Sequence, residues 1–467
     1  MNRPHRAGII ALAFAMFILH TAAPATAQTA APQEMCPTLD WENTLPPMLE
    51  PKAEVPTKST ANDPKGTCIF HQWSWETFIW ATALDRKGVP RFLGLPTPDD
   101  LLNKSIIAGV PGPRKLKLAT RSLAHSKQPT GTGAFVQADG KVMIAPNGYP
   151  VYGSIHMNRS YFETAKKNLI IDGGYQSQPP DSFFDIGAAV FKATWLRLEP
   201  GQSAPAGAYT MKALVPVLIV SKSGSIITIE PVPGKFKSAK VALVGLHVGS
   251  YTVDHPEFLW GTFEHKFNTP EVPDNTFTDT GSDPNNYTFY KANTPFAQAN
   301  QPSVPPALTF DPKTQKFLPV TNAVLVNKTG GSDAKGASNI ALLNGISQRF
   351  LTKQKGAQKQ FANYNLIGTV WMLPKSYTEK STGADAVGSL NLANTTAETF
   401  VQWPQNDDKN KLQNCFSCHN GTSYSYDGLQ PPKLIDRKIA LSHVLAYGTA
   451  YDVPNKIDSN TSPTKRR

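Results

Sequence analysis

The sequence predicts an α+β, β-rich fold, in which an antiparallel sheet body carries a small helical C-terminal segment. Three observations predict it. Between residues 133 and 265, short runs rich in β-branched and apolar residues follow one another, most of them punctuated by Gly, Pro or Ser. The connections between these runs are short and few helical patterns intervene, which favours antiparallel pairing. Beyond residue 403 the strand-like runs stop, and residues 435–446 take up a helical spacing.

Taken in order, residues 1–27 open with Arg3 and Arg6, run through the apolar stretch from Ile9 to Leu19 and end in Ala25-Thr26-Ala27. This is the pattern of a cleaved signal peptide, too short to span a bilayer comfortably. It predicts export to the periplasm and a mature chain with no transmembrane segment. Residues 28–66, rich in Pro, Thr and Ala, read as an extended N-terminal arm. Residues 67–402 read as the β-rich body. Within it, Phe70, Trp73, Thr77, Trp80 and Leu84 recur at helical spacing and predict an amphipathic helix over 70–86, ended by Gly88 and Pro90. Its tryptophans read as core aromatics, or alternatively as the wall of a cofactor.

The strand runs are Val142-Met143-Ile144, Ala188 to Leu198, Tyr209 to Val220, Ser225 to Ile229 and Val241 to Val248. In the second, Phe191, Ala193 and Trp195 share one face and Val190, Lys192, Thr194 and Leu196 the other. Neither face is purely polar, so the strand should be covered on both sides. Residues 267–322 hold many Pro, Asn, Thr and Asp with little periodicity and predict a long loop excursion or covering flap. A helix is expected over Ile340 to Phe350 and a strand over Tyr364 to Met372. A short helix is expected over Thr395 to Val401, with Thr395 and Glu398 as its capping box.

The cysteine pattern bears on the chemistry. Of four cysteines, two lie in Cys415-Phe416-Ser417-Cys418-His419, which leaves Cys36 and Cys68 in an oxidising compartment. A Cys36–Cys68 disulfide is the economical reading, against two buried thiols or a metal site with His71. The Cys-x-x-Cys-His spacing is that of covalent haem c attachment: each thiol adds to one vinyl group, and His419 is left beneath the iron. A thioredoxin-like dithiol and a zinc site are the competing readings. The first motif normally sits early, between a strand and a helix, and the second needs further ligands nearby.

Only 48 residues follow His419 and none is methionine, so residues 403–467 form a haem c segment that must pack on the body. For the sixth ligand the candidate is His443, on the same helical face as Ile435, Ile439 and Ala446. Met372, a histidine of the body, or no protein ligand are the alternatives.

A second constellation comprises His247, Asp254, His255, Glu257, Glu264 and His265. Imidazoles beside carboxylates suit a divalent metal, a distal acid–base pair or proton transfer. His247, His255, Glu264 and His265 are therefore candidate catalytic residues, with solvated loop histidines and core hydrogen bonding as the plainer reading. The formal charge of +11, falling to +9 when Arg3 and Arg6 leave with the signal, favours an anionic partner such as an acidic redox protein or phospholipid headgroups. Scattered lysines and export argue against nucleic acid, and Lys465-Arg466-Arg467 reads as a solvated tail.

Together, Phe70-His71-Gln72-Trp73, Gly245-Leu246-His247, Trp260-Gly261-Thr262-Phe263-Glu264-His265, Leu366-Ile367-Gly368-Thr369-Val370-Trp371 and Asn414-Cys415-Phe416-Ser417-Cys418-His419 resemble a bacterial exported mono-haem group described as cytochrome c family proteins. The resemblance spans most of the mature chain. It implies covalent haem and brings no substrate. Three functions stay open at this point: electron transfer, a haem-dependent redox enzyme of peroxidase or oxygenase type with a pocket in the body, and a non-catalytic haem sensor or binding protein.

Overall fold

All the expected strand runs except Val142-Met143-Ile144 assemble into a single antiparallel sheet. The computed structural model describes residues 36, 67–98, 100, 116–118, 123–124, 141–170, 183–223, 226–273, 281–303, 307–326, 329, 334–402, 414–421 and 441–442. The expected signal peptide, most of the 28–66 arm, most of the 403–467 segment with His443, and the basic tail lie outside the described residues.

In chain order the elements are α1 (Thr67–Thr82), β1 (Leu123–Ala124), β2 (Tyr152–Met157), α2 (Arg159–Ile170), β3 (Ala189–Arg197), β4 (Thr210–Ser223), β5 (Ile226–Thr252) and β6 (His255–His265). They continue with β7 (Thr309–Asp311), β8 (Lys316–Leu318), α3 (Ala334–Thr352), β9 (Tyr364–Met372) and β10 (Ala386–Gly388). The main sheet has the order β10-β9-β6-β5-β3-β2, with β1 and β4 also pairing on β5. Every pair in it is antiparallel.

Both faces of the sheet are buried, as the mixed faces of β3 require. On one face Phe191, Trp195, Leu246, Val248, Phe263 and Trp371 pack against Trp75 and Phe78 of α1. The Phe78 and Phe263 rings stack at 4.2 Å. On the other face Met157, Tyr161, Phe184, Trp260, Val370 and Met372 form a second core with Phe416 and Leu441. Gly249 permits that second core. A Cβ there would stand 2.8 Å from two carbons of the Trp260 ring, so glycine lets the indole lie close over the sheet.

Several expectations change. The helix runs Thr67–Thr82 rather than 70–86, and it is buried nearly all round instead of being amphipathic. Its polar residues bond inside the protein: Ser74 Oγ lies 2.7 Å from Thr369 Oγ1, and Gln72 donates to Glu76 at 2.8 Å. Its tryptophans belong to the core, with Trp75 Nε1 donating to Asn344 at 3.0 Å. Val142-Met143-Ile144 forms an isolated bridge from Ile144 to Pro150, not a strand. The two runs at Ser225 and Val241 are one 27-residue strand, which passes from β4 to β6 on one side while pairing β3 on the other. The 267–322 stretch carries the β7–β8 hairpin, and Val272, Tyr290, Phe296 and Ala299 build a small core there with Val324 and Val326.

Cys36 and Cys68 form a disulfide with Cα atoms 5.3 Å apart, closing a separation of 32 residues. Cys36 N also donates to Asn339 Oδ1 of α3 at 3.1 Å. Replacing both cysteines by serine should lower unfolding stability by about 4 kcal/mol on the chain-entropy account. Urea unfolding without reductant measures it. A loss below about 1 kcal/mol would mean that the Cys36–Asn339 bond anchors this segment by itself.

Candidate functional site

The Cys-x-x-Cys-His motif is a capped turn rather than open loop. Asn414 Oδ1 accepts from Phe416 N at 3.0 Å, while Asn414 N donates to Ser417 Oγ at 3.2 Å, giving a reciprocal capping box over the 3-10 turn Cys415–Ser417. The backbone closes through Cys418 N and His419 N, which both donate to Cys415 O, at 3.2 and 2.7 Å. Asn414 Nδ2 ties the turn to the body through the carbonyls of Gly383 and Leu390, and Asn420 Nδ2 donates to Phe416 O at 2.6 Å. Phe416, fully buried in the second core, is the apolar anchor. The turn therefore holds Cys415, Cys418 and His419 together on a rigid base.

His419 is oriented from two sides. Its Nδ1 lies 2.9 Å from the carbonyl oxygen of Leu441, and since a carbonyl only accepts, Nδ1 carries the proton. That tautomer leaves Nε2 as the lone-pair nitrogen. The ring stacks on the indole of Trp260 with centroids 4.4 Å apart and planes at 28°. Trp260 is fixed in turn by Gly249 beneath it and by its Nε1, which donates to Glu257 O at 3.1 Å. Burial pushes the imidazole down to about 4, against the opposing Leu441 bond, although part of its edge stays accessible.

Cys415 and Cys418 carry no disulfide. Burial, with the Glu398 carboxylate next, pushes the Cys415 thiol well above its ordinary value. Two thiols one turn apart and a neutral imidazole with its second nitrogen held by a carbonyl are the donor set that haem c attachment needs. The residues fit the group.

Close to the motif lies a trio of ionisable groups. Lys192 on β3 and His247 on β5 are directly paired across the strands. Glu398 lies between them, 3.8 Å from Lys192 Nζ and 3.3 Å from His247 Nε2. Burial would raise the Glu398 carboxyl, but the His247 imidazole and the Lys192 ammonium override it and hold it at about 2.

The rest of the expected constellation does not converge. His255 sits at the closed end of the β5–β6 hairpin, where its Nδ1 lies 2.8 Å from Glu257 Oε1. Glu264 is a staple: it accepts from Thr395 N at 2.6 Å and from Thr395 Oγ1, pinning the 394–398 turn, and burial raises it to about 7. His265, at the opposite end of β6 from His255, is buried against Tyr364, and burial lowers it to about 4. Ten residues of strand separate His255 from His265, roughly 33 Å. Among the described residues no group of three or more His, Cys, Asp or Glu could hold a metal ion. The capping box expected on Thr395 and Glu398 is shifted by one residue: Asn394 N donates to Glu398 Oε2 at 2.8 Å, and Thr396 N donates to Asn394 Oδ1 at 2.9 Å.

Sequence reasoning gave Trp260 no role, although it is the residue that seats His419. Strand alternation offered a partial signal, because Gly249 and Trp260 are cross-strand partners. No helix among the described residues is long and apolar enough to cross a membrane. No protein family, curated protein or solved structure matches the chain.

Proposed function

We propose that this chain is an exported, periplasmic protein carrying one haem c through Cys415, Cys418 and His419, and that it transfers electrons. The observation that carries the reading is the hydrogen bond from His419 Nδ1 to the Leu441 carbonyl. It sets the tautomer that leaves Nε2 as the lone-pair nitrogen. Bound there, haem would supply a one-electron carrier. The chain's own residues do the rest: the Asn414 box fixes both sulfurs, Trp260 fixes the plane of the imidazole, and Phe416 and Leu441 keep water from its buried side. Acid–acetone extraction of the exported protein should leave the colour on the polypeptide. Haem that extracts freely would sink the assignment.

The sixth ligand follows less directly. His443 lies outside the described residues, and chain reach weighs against it. The Leu441 carbonyl binds Nδ1 and so stands on the far side of the imidazole from Nε2. Two residues of chain span at most about 7 Å, a short reach from the Nδ1 side of the imidazole to the side that would hold the iron. Substituting His443 by Ala should therefore leave the spin state of the ferric spectrum unchanged. A change from low to high spin would restore His443 as the ligand and require the Leu441 bond to break.

The enzyme reading keeps one observation of its own, the Lys192–His247–Glu398 trio beside the motif. Carbon monoxide binding by the reduced protein separates the two. A closed iron favours electron transfer, and an open one favours chemistry at that trio.

A further inference from the structure

Phe258 departs from the rules of its strand. Its φ is 68°, a left-handed backbone normally left to Gly or Asn and uncommon for a bulky residue. Such an outlier persists only when its surroundings hold it, and it then calls for a functional explanation. Its ring is fully buried and stacks beside Trp260, with centroids 5.6 Å apart and planes at 27°. Phe258 and Trp260, two residues apart on β6, share one face of the sheet by strand alternation.

The row continues in both directions. Inward, Trp260 stacks on His419 at 4.4 Å. Outward, Phe258 meets Tyr251 at 6.5 Å, and Tyr251 meets Phe183 at 6.2 Å. Tyr251 and Phe183 are only half-buried, so the row reaches the surface at the closed end of the β5–β6 hairpin. Two of the exposed large apolar side chains flank that end. Ile186, 50% exposed, is brought there by the bond from Gly187 N to Tyr251 O. Leu373, 49% exposed, is brought there by the bond from Lys375 N to Asp254 O. With the half-buried Tyr251 and Phe183, the two give the end of the ring row an apolar surface.

We propose that this hairpin end is where an acidic one-electron carrier protein docks, and that Tyr251, Phe258 and Trp260 carry the electron between that surface and His419. The proposal rests on the haem reading above and deepens it. Closely packed rings in steps of a few ångströms shorten the tunnelling gaps along which transfer falls off exponentially. One electron leaves ferrous iron and reduces the carrier by one; no bond forms or breaks and no proton is needed. The carrier is acidic because the exported chain is basic overall, at +9 once Arg3 and Arg6 leave; at the patch itself the well-exposed Lys375 stands 3.7 Å from Asp254.

Two measurements test it on the haem-loaded protein. All four native cysteines are committed, so Ile186→Cys offers one reactive thiol for a ruthenium bipyridyl photosensitiser. Flash-triggered electron transfer from that label to the haem should be fast, and its fast phase should be lost with Phe258→Leu while the visible spectrum and the reduction potential stay put. Tyr251→Leu, at a half-buried ring, gives the same reading should the Phe258 variant fail to fold. An unchanged rate in the folded variant overturns the route. A structural role for Phe258 would lower the melting temperature and leave the rate alone.

For docking, Ile186→Asp should slow bimolecular exchange with an acidic blue-copper protein. The same charge change at Ile219→Asp, an exposed site on the β4–β5 ribbon, should not. Equal slowing by both substitutions places the contact elsewhere. Lack of covalent haem would sink the haem reading and this proposal with it, whereas intact haem with an unchanged rate sinks the route alone.

Discussion

Replacing Cys415 and Cys418 together by Ala is expected to yield a folded protein with no bound colour. The fold should survive because its larger core lies between α1, α3 and the opposite face of the sheet and contains neither residue. The motif turn itself is built from Asn414, Phe416 and Ser417, which the variant retains. Each lost sulfur should cost no more than the usual ~0.5–3 kcal/mol of a point substitution. The loss of covalent haem, by contrast, should be complete, since no thioether remains and His419 alone makes only a reversible bond. A single substitution would keep one thioether and some colour. Haem staining of a denaturing gel, beside circular dichroism and a melting curve, measures both halves. An unfolded double variant would show that the haem is required for the fold, as in metal-dependent small domains. A wild type that is colourless but shows two titratable thiols would favour the redox dithiol.

What the sequence made legible, and what it hid, follows from where the polar groups went. The Tyr364 to Met372 run was readable to the residue because every member but Asn365 is buried, which gives an unbroken apolar signal. β3 was readable because neither of its faces is polar. β6 was not, because His255, Glu257, Glu264 and His265 looked like a site. They are instead buried partners of the backbone and of one another, and the periodicity of a strand is lost when its polar positions point inward. The same masking misled at α1, where an amphipathic helix implies a solvent side, yet the polar His71 and Ser74 off the expected apolar face are buried too.

The attachment residues could be named from five letters, because their spacing answers to covalent chemistry and not to the fold. The seat of His419 could not. It depends on Gly249 clearing space for Trp260 and on a carbonyl, Leu441, that any residue at that position would present. Backbone acceptors leave no mark in a sequence.

Unfolding stability is expected to rise between pH 4 and pH 7, by about 3 kcal/mol from His156, His265 and Glu264 taken together. His156 and His265 are both buried, and burial lowers each imidazole to about 4. Unfolded histidines titrate near 6.5, so between about 4 and 6.5 the unfolded chain binds protons that the native chain refuses. Stability must then increase with pH across that window, by about 3 kcal/mol for each histidine. Glu264 acts the other way. Burial raises its native carboxyl to about 7 from 4.5, so the native state holds a proton that the unfolded state has lost. Its contribution falls by about 3 kcal/mol as pH rises through that window. Two histidines outweigh that carboxyl; His419, also lowered to about 4 by burial, adds to the rise, and Glu76 and Glu257, raised by burial, oppose it, so the protein should be acid-labile. Glu398, held at about 2, adds a further loss only below pH about 4.5. Urea unfolding at intervals from pH 4 to pH 7 gives the slope directly. Glu264→Gln keeps an acceptor for Thr395 N but removes the opposing titration, so its slope should be steeper than the wild type's. A flat wild-type profile would mean that the two imidazoles are protonated in the native state, and an unchanged slope in the variant would mean that Glu264 is ionised throughout.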